Sequence, residues 1–182
     1  MPIEAAPLKR FWPAPAAAAL SLVVYLQTLC PTVYVEGSGE LIGATYLLGT
    51  PHPTGYPLFC LLGRLIAVVL PLSSPALEVN AASAFTGALA VGAVAALLVQ
   101  RGCLAWISLG AALAFAFSST FWSQVVVAEV YGLSTLAAAG VMCLGLGAAD
   151  RAGGRDERWL VLTAYVAGLG VTTHLNHLLI LP

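Results

Sequence analysis

The residues equipped for chemistry in this 182-residue chain fall into a few short stretches. The first is Pro31-Thr-Val-Tyr-Val-Glu-Gly-Ser-Gly-Glu40, with the carboxylates Glu36 and Glu40 four positions apart. A carboxylate held beside a bound hydroxyl can take its proton as that oxygen attacks an electrophile. A structural role competes with this reading. Ser38 is placed to cap a helix with Leu41, Ala44 and Leu48 on one face, and Glu40 would sit in its first turn, where the helix dipole favours the ionised form.

The second stretch, Gly49-Thr-Pro-His-Pro-Thr-Gly-Tyr-Pro57, packs three prolines and two glycines around His52 and Tyr56. Prolines restrict the backbone and glycines allow tight turns, so a stiff loop is expected that holds His52 and Tyr56 beside Glu40. A third, Phe121-Trp-Ser-Gln-Val-Val-Val-Ala-Glu-Val-Tyr-Gly132, sets Glu129 in apolar surroundings, where an ionisable group usually has a partner or a task. Trp122 and Tyr131 suit an interfacial aromatic belt. Arg64, His174 and His177 are the available partners for Glu129. The two histidines stand about one helical turn apart. With Glu40 or Glu129 they could ligate a divalent metal, but the spacing is no metal signature by itself, and hydrogen bonding to a phosphate or a sugar is the preferred reading. No metal site and no resident cofactor are expected.

These residues sit in an apolar background. Apolar types make up 60% of the chain, Lys and Arg number 7, Asp and Glu 8, and mean hydropathy is +0.93. A soluble domain carries roughly a quarter charged residues, and disordered chains are rich in charge and poor in apolar types, so both classes are excluded. A net charge of −1 offers phosphates no basic footprint, which argues against nucleic acid. Cys30, Cys60, Cys103 and Cys143 show no metal or disulfide pattern and read as packing residues, with a Cys30–Cys60 bridge the one pairing left open.

The elements that must position the polar residues are membrane helices. Apolar runs at about 11–30, 79–99, 104–121, 132–149 and 159–173 approach the length needed to cross about 30 Å of hydrocarbon. Lys9 and Arg10 precede the first run, which is too long for a signal-peptide core and lacks a cleavage site; it reads as a retained span. The stretch 56–72 is apolar but carries Arg64 between Pro57 and Pro71. If it crossed, Arg101 and the arginines of 150–158 would lie outside. If it lies along the surface, they fall inside with Lys9 and Arg10, as the positive-inside rule prefers. The expected map is therefore a single all-α, polytopic membrane domain over 1–182. Its N-terminus is cytoplasmic, its outer loop covers 31–77 with juxtamembrane helices near 38–49 and 56–72, and the polar residues collect at the extracytoplasmic edge. Ala84, Ala88, Gly92 and Ala96 repeat every four residues, a face for close helix packing. The last residues look like the start of a sixth run, so the chain reads as the N-terminal part of a larger membrane domain.

Four stretches in this order, Pro31-Thr-Val... Ser38-Gly-Glu40, Pro51-His-Pro-Thr-Gly-Tyr-Pro-Leu-Phe59, Phe121-Trp-Ser-Gln... Ala128-Glu-Val-Tyr131 and Gly168-Leu-Gly... Thr173-His174, resemble the N-terminal region of the transmembrane protein 260 family of O-mannosyltransferases and its bacterial relatives. The resemblance implies a type C glycosyltransferase fold in an integral membrane protein of the bacterial inner membrane or its equivalent. It further implies a polyprenyl-phosphate sugar, mannose in the first instance, as donor, a protein or glycan hydroxyl as acceptor, and an acidic catalytic residue in the first outer loop. The family's first motif commonly reads Asp-Ser-Gly-Glu. Here Gly37 stands at the Asp position, which leaves Glu40 as the expected base and Glu36 as its substitute.

On that reading a first-loop carboxylate deprotonates the acceptor hydroxyl, which attacks the anomeric carbon in line as lipid phosphate departs, inverting the configuration. His52, Arg64 and His174 are candidates to stabilise the leaving phosphate. Tyr56, Tyr131 and His177 are expected to bind substrate, and Glu129 to orient these groups or the acceptor. Two other classes remain from the residues alone: a secondary transporter or channel coupled through Glu129 and the histidines, and a non-catalytic assembly subunit. Transporters tend to place charges near the bilayer midplane and to show internal repeats, neither of which is visible here.

Overall fold

A computed structural model describes residues 8–35, 37–150 and 157–179, all of whose regular structure is helical. In chain order the helices are α1 (Pro13–Gln27), α2 (Ser38–Leu47), α3 (Pro57–Val69), α4 (Pro75–Gln100), α5 (Ala105–Ala116), α6 (Ser119–Val125), α7 (Tyr131–Asp150) and α8 (Glu157–Val171), with 3-10 turns at Leu8–Phe11 and Leu175–Leu179. The all-α architecture expected of the sequence is the one the chain forms. α4 and α7 are long and apolar enough to cross a membrane, and α5 with α6 makes a third span if the bent pair is taken as one.

α4 is the axis of the bundle, with α1, α3, α5 and α7 packed around it. It starts cleanly because Ser74 accepts the Leu77 N–H at 3.3 Å, Pro75 opens the first turn, and the buried Glu78 carboxylate accepts the Leu72 N–H at 3.0 Å. Its small residues do what their spacing suggested. A methyl added at Gly92 would lie 3.0 Å from the Ala14 carbonyl oxygen and 3.1 Å from the Ala18 Cβ, so α1 and α4 touch almost backbone to backbone. The same holds between α4 and α7, where a Cβ at Gly132 would meet the Gly87 nitrogen at 2.9 Å and the Ser83 carbonyl oxygen at 3.1 Å.

The apolar run 104–121, expected as one span, breaks instead into α5 and α6, which meet at 69°. Ser118 makes the break. It adopts an extended backbone, its hydroxyl donates to the Phe115 carbonyl at 2.8 Å, and its oxygen accepts the Phe121 N–H at 3.4 Å. The carbonyl of Ala116, released at the end of α5, is taken up by the buried Tyr25 hydroxyl of α1 at 2.9 Å. The runs at 11–30 and 159–173 form α1 and α8, each 15 residues, or about 22 Å of helix; α1 is shorter than its run, and α8 matches its run in length but starts and ends two residues earlier. All four cysteines are free, so Cys30 and Cys60 are not bridged.

At one end of α4, Arg101 pairs with Asp150 at the end of α7. At the other, Asn80 donates from Nδ2 to the carbonyls of Cys30 (2.8 Å) and Thr32 (3.2 Å). A rise of 1.5 Å per residue separates these two places by about 30 Å.

Candidate active site

The site is assembled at the Asn80 end of α4. α2 brings Glu40 in its first turn. Ser38 is not the cap the sequence suggested. That position belongs to Gly37 at φ +97°, a left-handed conformation that glycine adopts without strain. The buried Ser38 hydroxyl instead closes the preceding turn, donating to the Tyr34 carbonyl at 2.9 Å and accepting the Tyr34 N–H at 2.8 Å. Glu36 lies outside the described residues.

The loop between α2 and α3 returns His52 to Glu40. The His52 main-chain N–H donates to Glu40 Oε1 at 2.6 Å, and its Nδ1 stands 2.9 Å from Oε2. These two bonds, the side-chain one first, hold the Glu40 carboxyl below its usual range although the pair is half exposed. Nδ1 facing a carboxylate carries the proton, so Nε2 presents its lone pair; the Tyr56 hydroxyl stands 3.1 Å from that nitrogen and 3.4 Å from the Pro53 carbonyl, the two acceptors its proton faces. Tyr56 is buried. Burial, followed by the charges of Tyr131, Glu129 and Glu40, raises its phenol above the usual range and keeps it protonated.

Tyr56, His52, Glu129, Tyr131 and His174 converge on a cavity of about 100 Å³ walled by Leu41 and Val130. The His174 ring lies near-parallel to Tyr56, centroids 6.4 Å apart, and 5.9 Å from Tyr131. Its Nδ1 accepts the Asn176 N–H at 3.2 Å, which leaves Nε2–H as a donor. Glu129 lies in the non-helical segment between α6 and α7. It also lines a larger cavity of about 610 Å³ with Phe115, Phe121, Gln124 and Thr135, and a third of about 390 Å³ beside Thr28 and Tyr34.

Two residues named from the sequence go elsewhere. Arg64 sets its guanidinium 4.7 Å from the ring centroid of Tyr46, a cation–π contact between α3 and α2. His177 is buried, its Nε2 2.9 Å from the Ser134 hydroxyl of α7 and its ring against Gly170, so it fastens the tail to the bundle. Burial lowers its imidazole below the usual range. Among the described residues no three His, Cys, Asp or Glu side chains gather as a metal site would require. Ser83 and Asn80 of α4, which fix the backbone around Glu129 and Cys30, were missed; two polar residues three apart in an apolar span were the available signal.

The geometry finds its context in comparison with other chains. A family model described as the Protein O-mannosyl-transferase TMEM260 N-terminal domain matches residues 37–182. The chain belongs to the TMEM260 family. The match begins at Gly37, so it takes in Glu40 and leaves Glu36 just outside. Among family relatives, the chain is 27% identical to the Dictyostelium discoideum protein named Protein O-mannosyl-transferase tmem260 over 176 residues, covering 88% of this chain and 21% of that protein. It is 35% identical to the Mus musculus Protein O-mannosyl-transferase TMEM260 over 113 residues, covering 62% of this chain and 16% of that protein. The chain thus spans about a fifth or less of the TMEM260 relatives it matches. No solved structure matches it.

Proposed function

We propose that this chain is the N-terminal membrane part of a glycosyltransferase that moves a sugar, mannose first among candidates, from a polyprenyl-phosphate carrier to a protein or glycan hydroxyl. The observation that carries the reading is the hydrogen-bonded run Glu40, His52, Tyr56 opening on a cavity shared with Glu129, Tyr131 and His174, in a chain whose relatives are named O-mannosyl-transferases. The first-loop carboxylates supply the base, Glu40 first and Glu36 as its alternate. The acceptor oxygen attacks the anomeric carbon as the carrier phosphate leaves, with inversion. His174, through Nε2–H in the small cavity, is the donor for developing phosphate charge. Arg64 is committed to Tyr46 and enters this reading only as an outer contact for lipid. Lys9, Arg10, Arg101 and the arginines of 150–158 support an extracytoplasmic site, since Arg101 lies at the far end of α4 and the positive-inside rule assigns that end to the cytoplasm.

The test uses the full-length protein in membranes with radiolabelled polyprenyl-phosphate sugars, comparing wild type with Glu40→Gln, Glu36→Gln and the double variant. Transfer by wild type and its loss in Glu40→Gln are expected. Wild-type rates in both single variants and in the double variant would remove the first-loop base from the mechanism.

A further inference from the structure

We propose that Glu40 works as a base at one remove: it positions His52, whose Nε2 receives the acceptor's proton through the Tyr56 hydroxyl. This deepens the glycosyltransferase reading and rests on it. Three features of the geometry lead here. Both Glu40 oxygens are engaged by His52, one by the main-chain N–H and one by Nδ1, so the carboxylate is aimed at the imidazole. That engagement fixes the tautomer and leaves Nε2 basic, as a carboxylate does when it orients a histidine for proton transfer. And the group in contact with Nε2 is the Tyr56 hydroxyl at 3.1 Å, whose ring lines the same cavity as Glu129, Tyr131 and His174. A carboxylate already held below its usual range by two hydrogen bonds is also a weak final resting place for a proton.

The step balances as follows. The acceptor oxygen bonds to the anomeric carbon and its proton goes to the Tyr56 oxygen, while the Tyr56 hydroxyl proton passes to His52 Nε2. The bond from the anomeric carbon to phosphate oxygen breaks with its electron pair on the departing carrier phosphate. The imidazolium formed is held by the Glu40 carboxylate. Tyr56 is the catalytic residue, and His52 and Glu40 act through it. The charged and titratable groups facing this run are Glu40 from α2, Tyr56 at the start of α3, Glu129 and Tyr131 ahead of and at the start of α7, and His174 from the tail.

His52→Asn separates the two roles, because an asparagine amide nitrogen lies close to where Nδ1 lies and still donates to Glu40, but no basic nitrogen remains. In the full-length protein, pH profiles of sugar transfer from polyprenyl phosphate are measured for wild type, His52→Asn and Tyr56→Phe, with thermal midpoints in detergent reporting folding. The expected result is a loss of about 100-fold or more in kcat for His52→Asn, with loss of the acid limb of the wild-type pH profile. Tyr56→Phe, which deletes one oxygen, should lose at least about tenfold in kcat with KM nearly unchanged. It decides the matter alone if the asparagine variant fails to fold. A His52→Asn protein with kcat within threefold of wild type and the same acid limb, or a Tyr56→Phe protein at the wild-type rate, overturns the relay and leaves Glu40 as the direct base. Absence of transfer by wild type instead overturns the enzyme reading on which the relay stands.

Discussion

Ser83 and Glu129 exchange two hydrogen bonds across the α4 surface: the Glu129 N–H donates to the Ser83 hydroxyl oxygen at 3.1 Å, and that hydroxyl donates to the Glu129 carbonyl at 3.2 Å. One buried side chain therefore takes the place of a helix's own ladder where α6 has ended and α7 has not begun. Ser83→Ala leaves the partly buried Glu129 N–H and C=O without this partner, a cost of about 1 kcal/mol. A lowered thermal midpoint in detergent and weaker sugar transfer are the expected outcomes. An unchanged midpoint would mean that the segment finds its bonds elsewhere.

The burial of His177 sets a pH dependence for the tail. Burial lowers the folded imidazole's affinity for a proton, so the unfolded chain binds one more readily. Stability from packing the neutral imidazole is complete above the ordinary imidazole range near pH 6.5 and is lost as pH falls from there through the lower folded value. Hydrogen-exchange protection at residues 170–177, taken relative to the intrinsic rate at each pH, should fall in wild type as pH drops from about 7.5 to about 5.5. It should respond much less in His177→Gln, and a pH-independent wild type would contradict the assignment.

Much of this arrangement could be read from residue types. The apolar run at 79–99, with small residues at four-residue spacing, announced α4 and its tight neighbours, although the helix itself reaches from Pro75 to Gln100. The proline and glycine loop announced that His52 would come back to Glu40. The bond from the His52 main chain has no signature in side-chain identity, and neither does its partner choice, so the relay through Tyr56 was not legible. The break at Ser118 was hidden because hydropathy averages over a serine that, by capping in both directions, ends one helix and starts another. The contact of Arg64 with Tyr46 was hidden for a related reason: Tyr46 lies eighteen positions earlier, and nothing local distinguishes a cation over a ring from a cation at a phosphate.

Close approach of α4 and α7 makes Gly132 intolerant of any side chain. A methyl there would press on the Gly87 and Ser83 backbone, which cannot rotate away. Gly132→Ala should destabilise the protein by roughly 1–3 kcal/mol, read as a drop in detergent thermal midpoint. Gly110→Ala is the control, since a Cβ there meets nothing within 4 Å.

The separate placements of Arg64 and His174 predict opposite results from alanine. His174→Ala removes a donor and an aromatic wall of the small cavity, and sugar transfer should fall at least about tenfold. Arg64→Ala loses a contact with Tyr46 worth about 0.5–1 kcal/mol at such a site, and transfer should stay within about threefold. Equal losses in both would return Arg64 to the phosphate.

Asn80 holds the carbonyls of Cys30 and Thr32, and Ser83, one turn on, holds Glu129, while the Cys30 N–H itself donates to the Val126 carbonyl at 2.9 Å. Two loops far apart in the chain are thereby fastened to the same turn of one helix and to each other. They open together or not at all: solvent deuterium should reach the Cys30 and Glu129 amides at the pace at which α4 itself unravels, not at that of a surface loop.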